Sequence, residues 1–505
     1  MILHHEFVRN AKRFGKKLAI NDYTLNRKVT YSKALIGSLI LARKFRVREE
    51  VFIGIMLPTS AGGYLATVGA VMAGKVPVMI NYATGASANC IYAQRKCGFR
   101  TIITSKALLE KVNAEFVDGM VFLEDIMKRV SPVDKLRAAF KAMMPASWIN
   151  RFLPPVEEDD TVVILFTSGS EKEPKAVQLT HRNIGSNVRG AAEVLGLTTD
   201  DIGMCCLPIF HSFGQMSNFW LVLTLGITGV TYANPLDYKT IPKIIRAEKT
   251  TLIGGTPIFL AGYLKESQPG DFDSLRRIIA GADKCPGWVR DGYRKKHGKE
   301  VLEGYGCTET SPVISLNTMA ENRPGSVGKP LPGTRIRIMD LLHEKELAPG
   351  EQGKILVKGD LVMKGYLNDV EETALRIHDG WYDTGDMGMW DEDGYLWHKG
   401  RLKRFVKIGG EMVSLVRTES MLEAELPAGV DCCVVDIPDS RKGARIIAAV
   451  TQKVRERELI KKLARKLPSI AVPKQFVVLA EMPKMGSGKV DFRATASCVR
   501  EALGL

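Results

Sequence analysis

Phe166-Thr-Ser-Gly-Ser-Glu-Lys-Glu-Pro-Lys175 is the stretch on which the reading of this chain turns. An apolar run, 161–166, leads into small hydroxyl residues and glycine, then into a Pro-Lys pair. Small residues let backbone N–H groups approach phosphate oxygens closely; hydroxyls donate, and lysine adds a point charge. A polar surface loop has a similar composition. The stretch lacks the GxxxxGK[ST] pattern of nucleotide triphosphatases. Gly486-Ser-Gly-Lys489 fails that pattern too, because Val490 follows it and Pro483 stands at the first glycine.

Outward from this loop, apolar runs at 51–56, 76–80, 101–104, 229–232, 251–254, 276–280 and 300–302 read as strands, with helical stretches between many of them. Residues 1–50 read as helix, short strand pair, helix. This alternation predicts parallel sheets covered on both faces. From about 325 Gly-rich turns separate short strands, as in a small β-rich unit. After Gly400, strands at 432–437, 445–451 and 475–479 and a basic helix at 454–467 predict a compact α+β domain. The expected class is α/β, with a large N-terminal domain over 1–400 and a small C-terminal domain over 401–505.

Composition narrows the function classes. Of 505 residues, 45 % are hydrophobic and 25 % charged, which excludes disorder, collagen and coiled coil for the whole chain. Lys and Arg number 71 against 56 Asp and Glu, a net charge of +15 that points to anionic partners. Residues 401–505 hold 20 of those cations against 12 acids. Nine scattered cysteines without a CxxC pair read as reduced thiols with no zinc site. The start, MILHHEFVRNAKRFGKK, has no apolar core of a secretory signal. Residues 203–236 carry no Asp, Glu, Lys or Arg, yet Pro208, His211, Gln215 and Asn218 interrupt them; they read as buried core rather than a membrane span. Residues 126–155 interleave six cations with Phe140, Met143, Met144, Trp148, Ile149 and Phe152 against Asp134 alone. They read either as a connecting helix docked on the large domain or as an interfacial helix. The expected location is cytoplasmic, with peripheral contact at the inner face of a membrane.

Five further motifs follow the first in one order: Pro208-Ile-Phe-His-Ser-Phe213, Gly304-Tyr-Gly-Cys-Thr-Glu309, Tyr382-Asp-Thr-Gly-Asp386, Gly400-Arg-Leu-Lys403 with Lys407-Ile-Gly-Gly-Glu411, and Pro483-Lys-Met-Gly-Ser-Gly-Lys489. Over nearly the whole chain this resembles the adenylate-forming superfamily of acyl-CoA synthetases, luciferases and adenylation domains. Thr167-Ser-Gly-Ser-Glu171, Asn81-Tyr82 and Gly281-Ala-Asp-Lys284 look most like its bacterial acyl-acyl carrier protein synthetase branch. The resemblance implies ATP and Mg²⁺, a fatty acid, and acyl carrier protein or CoA as thiol partner, with no nucleic acid. It implies a C-terminal domain that rotates between two half-reactions.

It also implies roles. Thr167, Ser168, Gly169, Ser170, Gly281, Ala282, Asp283, Gly304, Tyr305, Gly306 and Thr308 would bind ATP or AMP. Asp386 and Arg401 would hold the ribose, and Glu309, a hard anionic oxygen, would bind Mg²⁺. Lys489, His211 and Lys175 would be catalytic, Lys403 the hinge, and Gly409, Gly410 and Glu411 the turn of the second step. Each has a plainer reading: Tyr305 and His211 as core, Glu309 as a cap, Asp386 as a turn former and Lys489 as a surface lysine. Phe210, Phe213, Phe219 and Trp220 would line an acyl tunnel or belong to ordinary core. Lys172 and Ala176 stand where the family usually has glycine, which predicts a stiffer loop. The alternatives are an acyl-CoA ligase, a peptide-synthetase adenylation domain, and a non-catalytic fatty-acid or nucleotide binder.

Overall fold

The fold is that of a computed structural model, which describes residues 1–504 apart from 168–172, 342–344, 409–410, 428, 440–442 and 485–489; the side chains at 403, 407, 411 and 412 also lie outside it. The chain forms two compact units. The first takes Met1–Thr167, Pro174–Arg335 and Val357–Tyr382; the second includes Ile336–Leu356 and Asp383–Leu505. The expected division at 400/401 therefore falls inside the second unit.

Two sheets build the first unit. In the seven-stranded one, Thr161–Phe166, Val76–Met79, Phe52–Ile55, Ile102–Thr104 and Met120–Phe122 run parallel, and Ala176–Thr180 followed by the edge strand Gly365–Tyr366 extends one side antiparallel. In the nine-stranded one, Val301–Gly306, Arg277–Ala280, Leu252–Gly255, Ile202–Cys205, Thr228–Thr231 and Leu18–Asp22 are parallel. Its edges are antiparallel, and Lys329–Pro330 is one edge strand; beyond it the expected β-rich texture forms a separate five-stranded sheet of Arg335–Met339, Gly353–Lys358, Ile377–His378, Trp381–Trp390 and Leu396–Arg401. Parallel strands need helical crossovers, which bury both faces and demand apolar runs. Ile53, Ile55, Val163, Ile164 and Leu165 are accordingly buried.

Most of the stretch 203–231 is core, whereas Leu236 beyond it is exposed. Gly214–Trp220 is a π-helical segment continuing into Leu221–Leu225, and Phe219 and Trp220 are fully buried. Phe219 meets Tyr64 edge-on at 5.0 Å. These two aromatics are packing residues; Phe213, which caps the start of the π-helical segment, is half-buried. Among the described residues no helix is long and apolar enough to cross a membrane. All nine cysteines are free.

The second unit contains an antiparallel hairpin in which Asp386 faces Arg401. It also holds a three-stranded sheet of Cys432–Asp439, Gly443–Val450 and Gln475–Val478. The basic helix is shorter than expected, Glu456–Leu463, with Pro468 following closely. Helix Phe492–Ala502, which the sequence reading did not anticipate, packs against this sheet.

Candidate active site

The parallel strands of the nine-stranded sheet end on one side, and the motifs lie just beyond those ends. Ile202–Cys205 leads to 208–213, Arg277–Ala280 to 281–284, and Val301–Gly306 to Thr308 and Glu309. Carboxyl ends of parallel strands are where open α/β sheets bind ligands.

Gly306 makes the turn beyond Val301–Gly306. A Cβ there would stand 1.8 Å from the Pro312 carbonyl oxygen, so only glycine allows this approach. The chain then folds through a single 3₁₀ turn, Thr308–Thr310. The Cys307 N–H donates to Thr310 Oγ1 (3.2 Å), and Thr310 Oγ1 donates to the Pro312 carbonyl (2.8 Å). Glu309 is held at both ends: the Met363 N–H donates to its carbonyl (2.8 Å), and the Tyr366 hydroxyl to its Oε1 (2.9 Å). Burial, then the Glu309 anion, push the Tyr366 phenol well above its ordinary pKa, so it stays a donor.

Among the described residues Glu309 makes no ion pair. A half-buried carboxylate with no counter-cation among the described residues suits a hard divalent ion. Among the described residues no group of three or more His, Cys, Asp or Glu could hold a metal ion.

Around this turn the other motifs gather. Ser212 Oγ lies 3.4 Å from Thr308 Oγ1. His211 is half-buried with its ring 4.5 Å from Phe210, and Phe210 meets Tyr82 edge-on at 4.8 Å. Tyr82 of the Asn81-Tyr82 pair thus supports the His211 segment. A Cβ at Gly254 or Gly281 would lie 3.0 or 3.3 Å from the Phe213 ring, so two glycines make room for it. Ala282 has φ +72°, a left-handed conformation uncommon without glycine, and Asp283 beside it is exposed. Tyr305 is buried and Gly304 half-buried.

The phosphate-loop candidate joins two antiparallel strands, Thr161–Phe166 and Ala176–Thr180. Thr167 closes its neck: its N–H donates to the Lys175 carbonyl (3.0 Å), and its Oγ1 accepts from the Lys175 N–H (3.1 Å). Lys175 Nζ forms an ion pair with Glu372 and lies 4.8 Å from the Tyr366 ring centroid. Ala176 is a fully buried strand residue paired with Phe166. It has an ordinary backbone, since it is absent from the positive-φ residues. The expected stiffening at this position therefore meets no strained conformation.

In the second unit, Asp386 is buried at the hairpin, with Arg401 Nε 3.6 Å and His398 Nε2 3.8 Å from its carboxylate. Its N–H donates to Thr384 Oγ1 (3.1 Å). Arg401 itself is exposed. Beside Lys403, Arg404 is buried against Glu419 (2.7 Å), the Val434 carbonyl (2.8 Å) and the Phe492 ring (3.9 Å).

Ser168, Gly169, Ser170, Lys172, Gly409, Gly410 and Lys489, with the side chains of Lys403 and Glu411, lie outside the described residues. Two site residues were not singled out from sequence: Tyr366 and Glu372. Both lie in or beside the Tyr-Leu-Asn-Asp-Val-Glu-Glu stretch, which reads only as a turn, and Glu372 is 197 residues from Lys175.

A family model described as "AMP-binding enzyme" matches residues 7–367, and one described as "AMP-binding enzyme C-terminal domain" matches 418–489. A long-chain-fatty-acid–CoA ligase of Bacillus subtilis is 30 % identical, over 95 % of this chain and 91 % of its own length. 4-Coumarate–CoA ligase 1 of Petroselinum crispum is 27 % identical over 97 % and 93 %. The crystal structure of ATP-bound MatB from Rhodopseudomonas palustris superposes with TM-score 0.84 at 25 % identity, covering 99 % of both chains. O-succinylbenzoate coenzyme A synthetase of Bacillus subtilis, in complex with ATP and magnesium ion, shares the fold with TM-score 0.82 at 23 % identity over 97 % and 98 %.

Proposed function

This chain belongs to the AMP-binding enzyme family, within the adenylate-forming superfamily, and we propose that it activates a fatty acid as acyl-AMP and passes the acyl group to acyl carrier protein. At the coarser level it is an AMP-forming acid–thiol ligase that uses ATP and Mg²⁺. In the first step a carboxylate oxygen bonds to the α-phosphorus, and the bond to the bridging oxygen breaks, releasing pyrophosphate. In the second a thiolate bonds to the acyl carbon and AMP leaves. No cysteine or serine nucleophile is needed, because AMP is the leaving group.

The observation that carries this reading is Glu309, fixed at both ends and without a counter-cation among the described residues, at the carboxyl end of a parallel strand. Bound Mg²⁺ would withdraw charge from the triphosphate, and Glu309 is the residue to hold it. Thr308 would donate to a phosphate oxygen, and Tyr305 would present its ring to adenine. His211 would face the carboxylate side, and Lys175 would turn from Glu372 to the phosphates. Gly281, Ala282, Asp283, Gly304 and Gly306 shape the floor. Asp386 can accept from both ribose hydroxyls, with Arg401 beside it. Ser168, Gly169 and Ser170 are assigned to the phosphates and Lys489 to the charge developing on the attacked phosphoryl group. Lys403 is assigned as the pivot of residues 401–505, and Gly409, Gly410 and Glu411 as the second-step turn.

Carrier protein is favoured by the branch-like residues at 81–82, 167–171 and 281–284. On the basic helix and just beyond it, Lys462 and Lys466 pair with Glu425, leaving Lys461 and Arg465 exposed without an ion pair among the described residues. Exposed cations steer acidic partners. A second reading, CoA as the acceptor, is favoured by the Bacillus subtilis relative, a named CoA ligase. Both thiols at matched concentration, with a labelled fatty acid, decide the point. Faster turnover on holo-acyl carrier protein, slowed by Lys461→Glu with Arg465→Glu, supports the first reading; faster turnover on CoA overturns it.

A further inference from the structure

Helix Pro132–Met143 is inside out. Its one buried residue is Ala138, and almost opposite to it Val133, Leu136, Phe140 and Met143 repeat at spacings of 3, 4 and 3 along one outward stripe. Leu136 is 72 % exposed, Phe140 65 % and Met143 77 %. A surface helix of a water-bathed domain normally turns its polar side outward. The next helix, Ala146–Arg151, repeats the pattern: Ile149 is fully buried, while Trp148 is 60 % exposed and Phe152, one turn on, is exposed too. Lys141 Nζ lies 5.8 Å from the Phe152 ring centroid, which ties the two helices' outer residues together.

The charge around this stripe has one sign. Asp134, the sole acid of 126–155, is turned away and paired with Lys44 (2.8 Å) and Arg43 (3.3 Å). Lys128, Arg129, Lys135, Arg137 and Arg151 are exposed. Lys12 of the first helix bonds the Ala142 and Met143 carbonyls (2.8 and 3.1 Å), adding a cation at the stripe's end. Behind the helix is a cavity of about 230 Å³ whose lining includes Leu39, Met72 and Leu153, the cations Arg43, Arg137 and Lys141, and Asp134.

We propose that the outer face of 132–152 docks on an anionic phospholipid bilayer, its apolar stripe in the interface and its cations among the headgroups. Apolar anchors and basic residues act together in such binding, and neither alone is firm. A second copy of this chain would leave the surrounding cations facing one another. The proposal rests on the surface alone and not on the adenylation reading, so the two fail separately.

Flotation of the full chain with vesicles tests it. Binding is expected to vesicles of phosphatidylglycerol with phosphatidylcholine, to weaken as salt rises, and to be far weaker to phosphatidylcholine alone. Each anchor entering the interface is worth about tenfold in partitioning, so Leu136→Glu with Phe140→Glu should abolish detectable binding. Arg137→Glu with Arg151→Glu should remove the preference for phosphatidylglycerol. Trp148→Phe should lose the blue shift of fluorescence that vesicles cause in the unaltered protein. All these side chains are exposed, and unchanged thermal melts confirm that the variants fold. No binding, equal binding to both vesicles, or a dimer that Leu136→Glu dissociates would each overturn the proposal.

Discussion

Removing the charge of Glu372 separates two roles for Lys175. The pair is partly buried, with side chains 21 % and 17 % exposed, and Arg376 Nε stands 3.4 Å from the same carboxylate. A hydrogen bond to a charged group contributes about 1.5–3 kcal/mol, and wetting of a fifth of the surface reduces that to about 1–2 kcal/mol. Glu372→Gln should therefore lower stability to urea by about 1–2 kcal/mol. If Lys175 must leave Glu372 to reach the triphosphate, the same change removes a competitor. The apparent KM for ATP in pyrophosphate exchange should then fall by up to about 5–30-fold, the same free energy expressed as affinity. Lys175→Met should raise that KM instead. The pH dependence has a fixed sign: the hydrogen bond from Lys175 holds the Glu372 carboxyl below its ordinary 4.5. The pair's contribution is complete above that pH and fades as pH falls through the lowered folded value. A lower urea midpoint with an unchanged or higher KM in Glu372→Gln would refute the reasoning and leave Lys175 a structural residue.

Three other expectations follow from the same geometry. Gly306→Ala forces a Cβ against the Pro312 carbonyl and should cost about 2–4 kcal/mol of stability, read by urea unfolding. Lys489→Ala should leave circular dichroism and the thermal melt unchanged, and should spare thioester formation from supplied acyl-AMP. His181, whose Nδ1 accepts from the Leu3 N–H (3.2 Å), is buried and pushed down to about 3 from 6.5. It folds neutral, so its contribution is full above pH 6.5 and drains at about 1.4 kcal/mol per pH unit as pH falls towards 3; His181→Gln keeps an acceptor and should flatten that slope in urea unfolding.

What could be read from sequence was set by burial and pattern. Strand 161–166 was legible to its ends because a two-sided buried strand must be continuously apolar. Its antiparallel partner, Ala176–Thr180, was not, because Ala-Val-Gln-Leu-Thr is short and has one half-buried position. The basic helix was overextended because Ala464, Arg465, Lys466 and Leu467 have helical propensity and precede Pro468, yet they form turns, with Ala464 capping Glu456–Leu463. Helix Phe492–Ala502 and its stacking on Arg404 leave no local mark at residue 404. The strand-end motifs were legible as chemistry because small, hydroxyl and acidic residues cluster there. The supports of Lys175 and Glu309 were not, since Glu372 and Tyr366 come from a distant turn that only folding brings near. Exposed apolar residues at 133–152 were visible as composition, but their outward aim needed the fold.

The measurement closest to the central claim is exchange of labelled pyrophosphate into ATP, with and without a fatty acid. The account predicts exchange that requires both the fatty acid and Mg²⁺, and that falls about 10²–10³-fold in Lys489→Ala. Exchange that ignores the fatty acid, or that survives the loss of Lys489 near its full rate, would contradict it.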